Sequence, residues 1–179
     1  MHPAQPYLNA LARKLGTPLT ASESGEVRFE IGRRTVMLAW AESPERFLVY
    51  ADAGRIGTFR REDVLMRLLS ANFLMHETEG AALSFDSTQN TVGLNGTIQV
   101  YGLSPEDFVK AFERFMALTA LWRRKLARAN RDAEEKAAEL GNRLPEESEP
   151  SARETGFDGG LSDADRYLYD INRGLMIAV

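Results

Sequence analysis

Histidine is the usual acid–base tool near neutral pH, and the chain has two, His2 and His76. His2 lies at an end that frays. His76 stands beside Glu77 and Glu79; one imidazole and two mobile carboxylates make a poor ligand set, so a solvated loop is the simpler reading. The segment from Asp86 to Asn90 has the oxygens of a calcium loop but lacks its central glycine and closing glutamate. Glu134 and Glu135 fall on an exposed helix, where they aid solubility. Arg123-Arg-Lys125, Arg128 and Arg131 could contact phosphate, but late in a helix such cations are favoured by the macrodipole, and a solvated face accounts for them. No phosphate loop, nucleophile elbow or His-Glu metal motif occurs. The residues therefore offer no catalytic set, no metal site and no cofactor site, and the expectation is a protein that is not an enzyme.

Composition narrows the class further. The chain of 179 residues is long enough for one domain with a core and a tail. Its formal charge of -4 argues against a general nucleic-acid binder, which needs a basic surface. With no cysteine, disulfides and thiolate metal sites are excluded. No apolar run approaches the roughly 20 residues of a membrane helix, so no membrane insertion is expected. The start, Met1-His-Pro-Ala-Gln-Pro, has neither the basic nor the apolar part of an export signal, and the cytoplasm is the expected location.

The elements can be read from periodicity. Leu8, Leu11, Ala12 and Leu15 share one face of a first helix that ends at Gly16 and Pro18. Val27, Phe29 and Ile31 alternate with Arg28 and Glu30 in a first strand, and Gly32-Arg-Arg makes a turn. Residues 35–41 and 47–51 form two more strands, each apolar on both faces. Helices on one side cover only one face. The other must meet either more of the same chain or a partner. Residues 60–75 form a second helix whose apolar residues exceed one stripe; it is either buried centrally or paired with its own copy across a twofold axis. Strands follow at 82–85, 91–94 and 97–101, with Asn95-Gly96 read as a tight turn. Ser104 caps a third helix, Pro105 sits at its first position, and Phe108, Phe112, Phe115, Thr119, Trp122 and Leu126 share the face that closes the core.

Residues 1–130 thus make the folded domain. Residues 131–140 extend the helix into solvent, with Asp132 and Lys136 as an i, i+4 pair. Residues 141–160 read as a flexible acidic linker. Residues 161–179 form a short amphipathic segment with Tyr167, Leu168 and Ile171 and the ending Leu175-Met-Ile-Ala-Val179. Such a segment could dock on its own domain, on a neighbour or on a client groove, or have no role.

The phrases Leu68-Leu-Ser-Ala-Asn-Phe-Leu74, Gly80-Ala-Ala-Leu-Ser-Phe-Asp86, Asn90-Thr-Val-Gly-Leu94 and Leu103-Ser-Pro-Glu-Asp-Phe108, in that order, resemble the type III secretion effector chaperones of the Tir-chaperone (CesT) family, class I. The resemblance covers about residues 7–128. It implies an α+β fold, a mainly antiparallel twisted sheet packed with three helices (α-βββ-α-βββ-α) in a homodimeric sandwich. It also implies a bacterial, cytoplasmic partner for the N-terminal segment of a secreted effector or translocator, which it keeps secretion-competent and presents to the secretion ATPase. Effector contacts are then expected at Leu8, Leu11, Leu15, Phe29, Ile31, Val36 and Leu38. The dimer interface is expected at Leu65, Leu68, Leu69, Asn72 and Phe73. The extra C-terminal length leaves a second role open, a regulatory interaction protein that sequesters a secretion or transcription regulator.

Overall fold

A computed structural model describes residues 2–22 and 25–143, so residues 144–179, and with them most of the linker and all of the amphipathic segment, lie outside the described residues. The elements run α1 (Gln5–Leu15), β1 (Glu26–Glu30), β2 (Thr35–Glu42), β3 (Glu45–Arg55), α2 (Arg61–Asn72), β4 (Ala82–Asp86), β5 (Thr91–Gln99) and α3 (Pro105–Arg143). The strands form one antiparallel sheet in the order β1-β2-β3-β5-β4.

Local chemistry sets most boundaries. Gly16 takes the left-handed conformation that ends α1, and its N–H donates to the Ala12 carbonyl. Gly32 and Arg33, both at positive φ, turn the chain between β1 and β2, and Ile31 and Arg34 exchange both backbone hydrogen bonds across the turn. Ser104 Oγ accepts the Asp107 N–H at 3.1 Å and donates to Asp107 Oδ2 at 2.8 Å, which caps α3.

One expectation fails. Asn95-Gly96 is not a turn, and the two strands read at 91–94 and 97–101 are the single strand β5, giving five strands rather than six. Tertiary contacts decide the matter. Gly96 faces the helices, and a Cβ there would stand 2.7 Å from Cε2 of Phe115, so the ring of α3 fills the missing side chain's place. Asn95 faces the other way, where its amide donates to Ser84 Oγ at 2.7 Å. On that same outer face the Tyr50 ring covers Gly93, where a Cβ would lie 2.1 Å from Cε2.

The core lies on one side of the sheet. Val27, Val36, Leu38, Phe47, Val49, Leu94 and Ile98 point inward and are buried. The six α3 residues assigned to the core face are each no more than 9 % exposed. Phe47, Phe108 and Tyr7 of α1 stack edge-on or tilted at 4.7 to 6.1 Å between ring centroids. Removing one such phenyl ring from the core costs about 3–5 kcal/mol. The outer face is different. Met37, Ala39 and Tyr50 are half-buried and Leu48 is exposed, so the described residues leave this second apolar face uncovered.

The third helix also departs from expectation. It runs through Arg143, into the segment read as linker. Its packing reaches Ala133, which is buried, and Asp132 pairs with Arg67 of α2 at 3.1 Å rather than with Lys136.

Candidate functional site

Several of the residues singled out for their chemistry have structural partners. Asp86 Oδ1 accepts the N–H groups of Thr88 and Gln89 and so closes the β4–β5 hairpin. Glu77 pairs with Lys125 at 2.8 Å, and the Lys125 ammonium lies 4.2 Å over the Trp122 ring. His76 is exposed. Among the described residues, no three His, Cys, Asp or Glu side chains gather as a metal ion would need. On the outer face of the sheet, burial pushes the Tyr50 hydroxyl above the ordinary phenol range, and the nearby Asp52 and Asp86 carboxylates add to the shift.

What the fold does present is an open strand edge beside an apolar groove. In an antiparallel pair, hydrogen-bonded residues alternate with outward-turned ones. The bonded Ile31–Arg34 pair therefore places Phe29 and Val27 in bonds to β2 and turns the backbone of Glu26, Arg28 and Glu30 outward. Glu26 is occupied, because its carbonyl accepts Ser22 N–H at 2.7 Å and its N–H donates to Ser22 Oγ at 3.2 Å. Arg28 and Glu30 keep outward N–H and C=O groups along the edge.

The groove lies beside that edge. Leu15, Ile31, Phe112 and Met116 line a shallow cavity of about 250 Å³, and Lys14 and Glu113 pair at 2.7 Å on its rim. Phe29 packs on Phe112 with centroids 6.2 Å apart. The seven residues expected to contact a client therefore divide. Leu15, Phe29 and Ile31 are half-buried around the groove and the buried Leu11 lines its floor; Leu8, Val36 and Leu38 are buried in the core beneath. Phe112 and Met116 join the groove from α3. Their helical spacing reads as core, so sequence alone did not single them out.

The other edge, β4, is closed at Leu83. Asn72 Nδ2 donates to the Leu83 carbonyl at 2.9 Å, and Asn72 Oδ1 accepts the Leu83 N–H at 2.8 Å. A side-chain amide thus occupies the place of a neighbouring strand.

The second surface is α2. Val64, Leu68 and Ala71 face inward and are buried. Outward lie Met66, Leu69 and Phe73, which are 62 %, 63 % and 76 % exposed. Leu74 and Met75 follow, both exposed and both at positive φ, an uncommon conformation for such side chains. Of the five residues expected at a dimer interface, Leu69 and Phe73 stand on this stripe and Leu65 is half-buried. Leu68 packs within its own subunit and Asn72 holds β4. Met66 completes the stripe; its i, i+3, i+7 spacing with Leu69 and Phe73 was the available signal.

Such an arrangement presents an open strand edge and exposed apolar surfaces on an α+β frame. Residues 7–123 match the model of the Tir chaperone protein (CesT) family, and the chain belongs to that family of chaperones. Among solved structures, a chain of the ExsC–ExsE complex aligns with a TM-score of 0.56 at 23 % identity, covering 70 % of this chain and 97 % of that one. A chain of the HopA1–SchA chaperone–effector complex aligns with a TM-score of 0.52 at 21 % identity, covering 68 % and 91 %. Both share the α+β fold. No curated protein matches the chain.

Proposed function

We propose that the protein is a type III secretion chaperone that binds the N-terminal segment of a secreted effector or translocator, keeps it secretion-competent and presents it to the secretion apparatus. The observation that carries this reading is the pairing of an open β1 edge with the Leu15–Ile31–Met116 groove. An extended client adds backbone hydrogen bonds at Arg28 and Glu30, and its inward side chains enter the groove beside Phe29. The work is binding, with no bond broken and no cofactor needed. Two copies pair through Met66, Leu69 and Phe73, which removes a large apolar stripe from water. The secretion ATPase is the receiving partner, and the place of action is the bacterial cytoplasm. No helix among the described residues is long and apolar enough to cross a membrane.

Co-expression with N-terminal segments of candidate effectors, followed by sizing of the complex, tests the reading. A complex of two chaperone chains and one client is expected. A protein that stays monomeric and retains no client overturns it. Selective capture of a transcription or secretion regulator would move the assignment to a regulatory role on the same scaffold.

A further inference from the structure

The cations of α3 stand where the helix dipole does not account for them. Because α3 runs to Arg143, Arg131 lies about three turns before its end, and the dipole favours charges only within the last turn. Between Glu113 and Asp132 the helix carries no carboxylate. Arg124, Arg128 and Arg131 follow one another at i, i+4 and i+7, so they share one face, and all three are exposed. None of them takes part in an ion pair among the described residues. The first carboxylates farther along that side of the helix are Asp132, which Arg67 holds at 3.1 Å, and Glu135, one turn beyond Arg131.

Beside this face, between α2 and α3, runs a groove of about 610 Å³. Val64 and Leu68 of α2 and Trp122 and Leu126 of α3 give it an apolar floor, and Arg128 lines it from the cationic face. Its other charges are already matched, Lys125 with Glu77 at 2.8 Å and Arg67 with Asp132. Trp122 is 4 % exposed, and its indole N–H is buried without a hydrogen-bond partner among the described residues. The α3 residues that line the groove run from Trp122 to Asp132, about 15 Å or three turns. Grooves of this kind accept the apolar face of another helix.

We infer that the α2–α3 groove, with the arginine face beside it, binds an acidic amphipathic helix of a second protein. The apolar side chains of that helix lie over Trp122 and Leu126. Its carboxylates meet Arg128 and, beyond the groove, Arg124 and Arg131. Cations beside a recessed apolar floor select this class of partner. A nucleic acid would meet the cations and leave the floor empty. A lipid surface needs apolar side chains that project, rather than ones that line a hollow. The three arginines lie beyond residue 123, where the family match ends, and the site is separate from the β1 edge proposed for the client.

Fluorescence anisotropy of a labelled synthetic helix, with leucine along one face and glutamate on the other, tests this on the whole chain. Arg124→Glu, Arg128→Glu and Arg131→Glu together should weaken binding about thirtyfold or more, and Arg128→Gln alone about threefold. The three side chains are exposed, so circular dichroism should show each variant folded. Replacing the leucines of the synthetic helix by serine should weaken binding about tenfold or more. The chain has two tryptophans, so Trp40→Phe leaves Trp122 as the only one, and its emission should shift on binding. Equal binding of the serine form with a constant Trp122 emission would mean contact through charge alone, and overturns the inference. Tighter binding of single-stranded DNA or of phosphatidylserine vesicles overturns it too. The three reversals should leave affinity for a client segment within about twofold, as expected for separate sites. If they abolish client binding, the face belongs to the client, and the inference falls while the chaperone reading stands. If no client segment binds and the synthetic helix behaves as described, the chaperone reading falls and the inference stands.

Discussion

The two edges of the sheet are built from similar strands and treated in opposite ways. β1 and β4 are short outermost strands. At β4 the Asn72 amide satisfies both backbone groups of Leu83. At β1 only Glu26 is satisfied in this manner, by Ser22, while Arg28 and Glu30 face outward. Exposed strand edges invite pairing with any extended chain, and proteins normally blunt them. On the function proposed above, blocking β4 at Leu83 while leaving β1 open at Arg28 and Glu30 beside a groove directs an extended client to β1.

Substitutions can break this contrast. The largest effect should come from Asn72→Ala, which strands the backbone N–H and C=O of a residue that is 8 % exposed. We expect a loss of about 2–4 kcal/mol in urea unfolding, from two unmet hydrogen bonds. Asn72→Asp keeps the acceptor and should recover part of that loss. An unchanged unfolding midpoint for Asn72→Ala would show that the clamp closes nothing.

At the open edge the pattern should invert. Arg28→Pro deletes an N–H that points away from β2, and proline is tolerated at such edge positions. Client affinity should fall about tenfold, the equivalent of one hydrogen bond at roughly 1.4 kcal/mol, while the melting temperature stays nearly constant. Isothermal titration with a client segment, beside a thermal melt, separates the two. Equal losses in both would mean that the edge is structural.

Away from both edges, Ser104→Ala should cost about 1 kcal/mol of stability through the lost α3 cap and leave client binding unchanged. The same site has a pH signature. Hydrogen bonds from Lys110 and then Ser104 hold the Asp107 carboxyl below the ordinary carboxylate range. Its stabilising contribution is present above the unfolded value of about 4 and disappears as pH falls through the lowered folded value. Acid unfolding followed by circular dichroism should therefore show a smaller dependence on pH in Ser104→Ala.

The smallest effect belongs to the centre of the outer face. Tyr50 keeps its proton longer than an ordinary phenol, so its contribution is whole below about pH 10 and is lost as pH climbs through the raised value. Tyrosine absorbance titrated in alkali should lose its latest component in Tyr50→Phe. A titration identical to the unaltered chain would remove Tyr50 from that half-buried setting.

Much of the fold was legible because local signals and the tertiary structure agreed. Gly16, Ser104 and Pro105 mark helix ends by their backbone chemistry, and the phenylalanine series of α3 keeps helical spacing across its buried face. Asn95-Gly96 misled because turn propensity is local, whereas the ring of Phe115 that demands Gly96 comes from a helix later in the chain. The proposed binding surface was half legible. Helical spacing could assign Leu15, and alternation Phe29 and Ile31, to apolar faces, but not reveal that Leu8, Leu11, Val36 and Leu38 lie deeper. Asn72 shows the limit most sharply. The family resemblance set it in a dimer-forming segment; within its own subunit its amide bonds the backbone of Leu83, which no periodicity encodes.

The bare positions of β5 have one more consequence. Gly93 and Gly96, separated by Leu94 and Asn95, fall on opposite faces, and each receives a ring from a different element, Tyr50 from β3 and Phe115 from α3. Slide the strand by one residue and both rings collide with atoms. The central hairpin thus works like a notched key, accepting one alignment only, and the long helix cannot seat until that alignment has been found.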